Sequence, residues 1–140
     1  DYRAGGGASP LYTISVGITD APGSAQRLNG GLEGLVTASI VPSPQASRLP
    51  IVADYRKDRT EAGATIDSYT MLEGYIAARV FVEGLKRAGR NLTRDGFIKA
   101  MEDMGTTKFG DFPVQYGPNN HNGSNFVDLE MYTRTGSLRR

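Results

Sequence analysis

The sequence contains no cysteine among its 140 residues, and this absence removes several classes of protein. Disulfide scaffolds, cysteine-based zinc sites and thiol nucleophiles are all excluded. Histidine occurs once, as His121 in the polar segment Asn119–Gly123, so a catalytic triad or a histidine-rich metal site lacks its usual residues. We expect His121 to be a solvated turn residue, and we expect neither a metal site nor a cofactor.

Long apolar runs and an excess of charge are missing as well. The uncharged stretches Ala4–Thr19 and Gly34–Ser47 fall short of the roughly 20 apolar residues that a transmembrane helix needs. Sixteen Lys and Arg against fifteen Asp and Glu leave a formal charge of +1, which argues against a nucleic-acid partner. The start of the chain lacks the basic and apolar segments of a signal peptide. We therefore expect the chain to begin after an export signal or within a longer protein.

Catalytic motifs are equally sparse. Gly5–Gly7 and Gly30-Gly31 are followed by neither a P-loop lysine nor the dinucleotide-binding spacing, so we interpret these glycines as turns. Without cysteine and with one histidine, catalysis would fall to carboxylates, tyrosine or lysine. The sequence leaves an acid pair open but singles none out. We expect no enzymatic activity and no catalytic residue.

The elements that the chain does predict are those of an α/β protein. Two apolar runs, Leu11–Val16 and Leu35–Val41, are typical of strands in a buried parallel sheet, with a short helix between them. Helices and then strands follow along the chain. The predicted helices are Ile51–Arg59, Ser68–Ala88 and Thr93–Met104, and the predicted strands are Phe112–Tyr116 and Phe126–Thr133, joined by a loop over Gly117–Asn125.

The helix Ser68–Ala88 is the longest predicted element, and its apolar residues cover most of its circumference. Such a helix packs on more than one neighbour. Its start is predicted either by the capping box of Thr70 and Glu73 or by Ser68 one turn earlier, and Gly89 predicts its end. In the helix that follows, we expect Thr93 to be the cap and Phe97, Ile98 and Met101 to be buried.

One loop stands where ligands bind in open α/β sheets. The segment Ser15–Thr19 follows the first predicted strand, and ligands bind beyond the carboxyl ends of such strands. Its hydroxyls and backbone N–H groups could hold a carboxylate or an amide.

Together these segments resemble the C-terminal part of the type I periplasmic solute-binding proteins, the branched-chain amino-acid (Leu/Ile/Val) receptor family of ABC transporters. The most specific part of the resemblance is the helix Ser68–Gly89, whose sequence is similar to the pattern SY-x-x-x-EGY-x-AA of the family. The Thr93-Arg94 pair that begins the next helix is also typical of the family. The closing segment Phe109–Arg140, which contains FPVQYGPNNHNGS, is equally specific. Leu11–Thr19, Glu33–Pro44 and Pro50–Arg59 are also similar to the family.

The resemblance implies a two-lobed α/β fold, with a parallel sheet, flanking helices and a terminal β-ribbon. Residues 1–41 would end the distal lobe, and residues 42–108 would cross over and pack as helices on the first lobe. Residues 109–140 would form the terminal ribbon that returns to the distal lobe. Since family members are more than twice as long, we expect a fragment, whose apolar helix 68–88 could self-associate.

The resemblance also assigns ligand-binding residues. Ser15, Val16, Gly17 and Thr19 align with the ligand loop of the distal lobe, and Tyr69 opens the long helix as a core, hinge or ligand contact. Ser15–Thr19 carries no acidic residue, whereas family members that bind α-amino acids often hold the ammonium group with a carboxylate there. Amides and short fatty or aromatic acids therefore stay open as ligands.

The function implied is the periplasmic, substrate-binding component of an ABC importer. It would bind a small amino-acid-like, amide or carboxylate solute in the cleft between lobes and deliver it to a permease in the inner membrane. Two alternatives remain open: a ligand-sensing domain of a regulator with the same fold, and an association module that binds no ligand.

Overall fold

The computed structural model describes residues 35–45, 47–133 and 138–139. The chain divides into two units, one made of residues 1–41 and 127–140 and the other of residues 42–126. In chain order the elements are β1 (Val36–Ser39), α1 (Pro50–Glu61), α2 (Tyr69–Ala88), α3 (Arg94–Glu102), β2 (Gly105–Phe109), β3 (Phe112–Gly117), β4 (Asn120–Gly123), β5 (Asp128–Tyr132) and β6 (Leu138–Arg139). The predicted strand Leu11–Val16 and the helix after it lie outside the described residues.

The first unit contains a sheet in the order β1-β5-β6, and both pairings are antiparallel. Thr37 lies directly opposite Glu130 in the β1–β5 ladder, and both side chains are buried. Leu129 and Met131 alternate with Glu130 along β5 and are largely exposed. Because side chains alternate between the two faces of a sheet, the buried face of this ladder carries Thr37 and Glu130 together with Tyr132, and the exposed face of β5 is apolar.

The second unit contains a sheet in the order β2-β3-β4, again antiparallel. Gly110 and Asp111 connect β2 to β3 and have φ values of 52° and 67°, the left-handed pair that a two-residue hairpin turn requires. The carbonyl of Gly110 accepts a 3.1 Å hydrogen bond from the amide of Ile51. The tip of the hairpin is therefore fixed against the first turn of α1.

The helices of the second unit pack through narrow apolar stripes. Pro50 begins α1, where its missing N–H is not needed, and α1 buries Ile51, Val52 and Tyr55. The stripe of α2 recurs every four residues, so it follows one face of the helix. Its members are Leu72, Ile76, Val80 and Gly84. At Gly84 the absent side chain leaves room for Met101 and Phe97 of α3.

Several predictions about the helices are confirmed. Ser68 caps α2 by accepting a hydrogen bond from the amide of Met71, and Gly89 ends the helix. Thr93 caps α3 in the same way, through the amide of Gly96. The expectation that Phe97, Ile98 and Met101 are buried was wrong: Ile98 is 41% exposed, and Phe97 and Met101, which face Gly84 of α2, are half-buried. Helix α3 meets α2 on one side and leaves its other side open, so it contributes no buried residue.

The strands differ more from the predictions. The segment 105–109, to which no element was assigned, forms β2, and the predicted loop Gly117–Asn125 contains β4. The two strands expected to form one ribbon have different partners: β3 pairs with β2 and β4, whereas β5 pairs with β1 and β6. The terminal ribbon is thus divided between the two units.

Candidate functional site

Of the residues predicted to bind ligand, Tyr69 lies within the described part of the chain. It is the first residue of α2, and its side chain is half-buried. Ser15, Val16, Gly17 and Thr19 lie outside the described residues.

The backbone that carries Tyr69 is held by several hydrogen bonds. The Tyr55 hydroxyl donates to Oδ1 of Asp67 at 3.1 Å, and the Gln45 side-chain amide donates to the Asp67 carbonyl at 3.4 Å. The Ser68 hydroxyl accepts from the Met71 amide at 3.2 Å. The first bond ties Asp67 to α1, the second ties it to the segment before α1, and the third caps α2 itself. The backbone that carries Tyr69 is therefore held from three sides.

A second polar cluster lies one turn and a half further along α2. The Tyr75 hydroxyl donates a 2.7 Å hydrogen bond to Oδ2 of Asp58 and accepts one of 2.8 Å from Nη1 of Arg79. The Arg79 guanidinium also lies 3.6 Å from Asp54, and the Tyr55 ring meets the Tyr75 ring edge-on at 5.5 Å. This cluster joins α1 to α2 through charge-assisted hydrogen bonds.

The protonation of the two tyrosines follows from these surroundings. Burial raises the pKa of Tyr75, and its hydrogen bond to the Asp58 carboxylate raises the pKa further, although Arg79 opposes this. Burial also raises the pKa of Tyr55, and the Asp67 carboxylate adds to the effect. Both hydroxyls are therefore kept protonated as donors, and neither is prepared to act as a base.

An open groove of about 550 Å³ lies between α2 and β2. The wall formed by α2 includes Arg79, Glu83 and Lys86, and the opposite wall includes Lys108 of β2 and Gly110 of the turn after it. The Glu83 carboxylate is engaged by Nε of Arg87 at 2.8 Å. Three cationic side chains thus border the groove, against one carboxylate that is already paired.

A smaller groove of about 300 Å³ lies on the sheet of the second unit. Its lining carries no charged side chain and includes hydroxyl and amide groups beside one aromatic ring. The lining residues are Thr106, Pro113, Gln115, Asn120, Gly123, Ser124, Asn125 and Phe126.

His121 lies in strand β4 and not in a turn, which corrects the expectation from the sequence. Its side chain is 63% exposed, and its Nε2 lies 3.1 Å from Oε1 of Glu102 at the end of α3. The two residues are nineteen positions apart, so no local pattern in the sequence could have paired them. The contact joins β4 to α3 and brings no other metal-ligating side chain with it.

No group of three or more His, Cys, Asp or Glu side chains that could hold a metal ion occurs within 35–45, 47–133 and 138–139. Over the same part of the chain, no helix combines the length and the hydrophobicity needed to span a bilayer.

Comparisons with known proteins place the chain in a family. A family model described as periplasmic binding protein matches residues 2–130. Among solved structures, a possible leucine/isoleucine/valine-binding protein from Rhodopirellula baltica shares 27% identity, with a TM-score of 0.83, over 99% of this chain and 37% of its own. A substrate-binding periplasmic protein from Ralstonia solanacearum shares 26% identity, with a TM-score of 0.80, over 98% of this chain and 39% of its own.

An extracellular ligand-binding receptor from Verminephrobacter eiseniae shares the fold, with a TM-score of 0.83 at 23% identity, over 99% of this chain and 39% of its own. No curated protein matches the sequence. The chain therefore spans less than two-fifths of the length of the solved structures that it resembles. Since the family match extends over nearly all of the sequence, the chain belongs to the periplasmic binding protein family and has its type I fold.

Proposed function

We propose that this chain is part of the substrate-binding component of an ABC importer. In this role it binds a small amino-acid-like, amide or carboxylate solute in a cleft between two lobes and delivers it, in the periplasm, to a permease in the inner membrane. The observation that carries the proposal is the family match over residues 2–130. The role is non-catalytic: the solute is bound and released unchanged when the lobes close and reopen.

The lobe assignment is also a proposal. Residues 1–41 end the distal lobe, residues 42–108 cross over and pack on the first lobe, and the terminal segment 109–140 returns. The division of the chain into units at residues 41 and 126 supports two crossings. It favours a return of the chain to the distal lobe at Val127, since Phe109–Phe126 belongs to the same unit as the helices.

For the solute we propose contacts from Ser15, Val16, Gly17 and Thr19 of the distal lobe, with Tyr69 from the start of α2. The fixed backbone before α2 supports a contact role for Tyr69, because a positioned side chain loses less freedom when it binds. The lack of an acidic residue in Ser15–Thr19 favours solutes that present a carboxylate or an amide over those that depend on an ammonium group.

Calorimetry on the protein made from its complete coding sequence tests this proposal. The probes are leucine, isoleucine and valine, then the matching amides, then the matching acids without the amino group. We expect saturable one-to-one binding of one class, with the acids or amides at least as tight as the amino acids. Failure of every class to bind or to raise the melting temperature would overturn the proposed function.

Variants then test the proposed contacts. We expect Thr19→Val and Tyr69→Ala to weaken binding of the solute found above by about tenfold each, as the loss of one buried hydrogen bond or packing contact does. Thr65→Val, which removes an exposed hydroxyl in the segment before α2, is the matched control and should bind normally. Equal affinity in all three variants would remove Thr19 and Tyr69 from the site.

A second candidate is an association module. Phe81 and Val82 on α2 are 54% and 45% exposed, although Phe81 contacts Phe97 of α3 with ring centroids 5.4 Å apart. Light scattering on the same protein tests this candidate. A dimer that Val82→Ser returns to a monomer would support it, and a monomer at all concentrations would reject it.

A further inference from the structure

Strand β2 is an edge of its sheet within the described part of the chain, since β3 is its neighbour there. Phe109 lies opposite Phe112 across the two-residue turn, and the pair next to such a turn is hydrogen-bonded. Pairing alternates along an antiparallel ladder, so Thr106 and Lys108 direct their backbone N–H and C=O groups away from β3. The strand therefore offers a row of backbone donors and acceptors on its outer side.

The groove described above runs beside this edge from Thr107 onwards, with α2 as its opposite wall, and Thr106 lies at its end, in the lining of the smaller groove. One end is fixed by Arg87, whose guanidinium donates to the Met104 carbonyl at 3.2 Å and to the Thr107 hydroxyl at 3.1 Å. These bonds hold the end of α2 close to the start of β2. The strand and the helix thus form the two sides of a preformed channel.

Three cationic side chains border the channel, and two of them have no partner among the described residues. Arg79 is engaged by Tyr75 and Asp54. Lys86 and Lys108, in contrast, form no ion pair or hydrogen bond with any of the described residues. Each wall of the channel therefore carries one lysine ammonium group that has no ion-pair or hydrogen-bond partner among the described residues.

We propose that this channel binds an extended acidic segment of a partner polypeptide, which adds to the edge of β2 as a further strand. The backbone of the segment would pair with Thr106 and Lys108, which is the usual way in which an exposed edge recognises a peptide. Its carboxylates would face Lys108 on the strand and Lys86 on the helix. This inference concerns a different surface from the solute-binding residues and does not depend on the proposed function.

The position of Lys108 argues against a second copy of β2 as the occupant. Residues opposite each other in neighbouring strands lie about 5 Å apart, and like charges at that distance are destabilising. Two β2 strands side by side would place two Lys108 residues along one paired edge, and Gly105–Phe109 carries no carboxylate to offset them. An acidic strand reverses the sign of that interaction, so charge complementarity favours a partner of opposite charge.

The test uses the protein made from its complete coding sequence and the labelled peptide acetyl-Glu-Thr-Glu-Val-Glu-Thr-Glu-amide. Two further forms carry N-methyl groups, one on the glutamates and the other on the residues between them. A strand that pairs along one edge directs alternate N–H groups at its neighbour, so we expect one N-methylated form to bind like the parent and the other to lose binding. The amides of Thr106 and Lys108 should exchange with solvent more slowly when the parent peptide is bound.

Charge variants provide an independent readout. We expect Lys86→Gln with Lys108→Gln to weaken binding of the parent peptide about tenfold, with a larger effect at low salt. Arg48→Gln changes an exposed residue that does not line the channel; it is the matched control and should bind normally. If the double variant does not fold by circular dichroism, the N-methylated peptides on the unaltered protein still decide.

Three outcomes would overturn the inference. The first is no binding of the parent peptide at millimolar concentration. The second is equal affinity of the two N-methylated forms, and the third is equal binding of a peptide with lysine in place of glutamate.

Discussion

The hydroxyl of Tyr75 on α2 donates a 2.7 Å hydrogen bond to the carboxylate of Asp58 on α1, and the same hydroxyl accepts one from Arg79. A single phenol thus joins two helices and orients the guanidinium at the border of the groove. Because the acceptor is charged, this bond is worth more than one between neutral groups.

Removing this hydroxyl should measure its contribution. We expect Tyr75→Phe to lower the free energy of unfolding by about 1 kcal/mol, because the ring keeps its contact with Tyr55 while Asp58 and Arg79 lose their shared partner. Tyr116→Phe removes a hydroxyl that has no hydrogen-bond partner among the described residues and should change stability by less. Urea unfolding of the two variants compares them directly, and equal losses would show that the bond contributes little.

The raised pKa values of Tyr55 and Tyr75 predict a loss of stability at high pH. Both groups titrate near pH 10 in an unfolded chain and above it in the folded protein. Their stabilising effect is therefore complete below about pH 10 and is lost as the pH rises through the folded values. Melting temperatures measured across this range should fall steeply in the wild type and less steeply in the variant with both Tyr55→Phe and Tyr75→Phe. Tyr116→Phe, which keeps both hydroxyls, should follow the wild-type slope, and a double variant as steep as the wild type would contradict the linkage.

Two glycines of α2 predict opposite effects of the same substitution. A Cβ at Gly84 would lie 2.5 Å from Sδ of Met101 and 2.8 Å from Cε2 of Phe97, whereas one at Gly74 would meet nothing within 4 Å. We expect Gly84→Ala to destabilise the protein by about 1 kcal/mol, since overpacking outweighs the gain in helix propensity. Gly74→Ala should stabilise it by up to about 1 kcal/mol. Thermal unfolding of the pair checks both signs, and stabilisation by both substitutions would show that α3 gives way easily.

The hairpin tip predicts a larger effect. Gly110 has a positive φ, and a Cβ there would overlap the backbone nitrogen of Ile51. Gly63 has a similar φ of 68° but open space around it, so it isolates the backbone strain. We expect Gly63→Ala to cost about 1–2 kcal/mol and Gly110→Ala about 3 kcal/mol, because the steric overlap adds to the strain. Equal losses in denaturant unfolding would mean that α1 and the hairpin separate without cost.

The helices could be predicted from the sequence because their signals are local. Ser68, Gly89 and Thr93 act on amides or turns within a few residues of themselves, so their patterns indicate the bounds of α2 and α3. The exposure of Ile98 could not be predicted in this way, since it depends on which side of α3 meets Gly84. Periodicity identifies the apolar residues of a helix, but it does not tell which of them another element covers.

The strands lacked such signals. The residues of β2, Gly105–Phe109, do not alternate between apolar and polar types, and β4 consists of Asn, His, Asn and Gly. Both are strands because β3 lies between them and pairs with each. The contact of His121 with Glu102 depends on the same pairing, as do the edge of β2 and the channel beside it. The family resemblance gave the fold class, whereas strand partners are decided by contacts between distant parts of the chain.

The bond from Ile51 to the Gly110 carbonyl has a consequence for folding. Leu49, just before α1, provides no side-chain cap for the helix. The amide of Ile51, in the first turn of α1, instead donates to the carbonyl of Gly110, which lies in a turn much later in the chain. The first turn of α1 therefore lacks one hydrogen bond until the hairpin packs against it. Formation of α1 or of the hairpin alone gains little stability. We expect the second unit to fold in one cooperative step, in which α1 becomes stable only when β2 and β3 have formed.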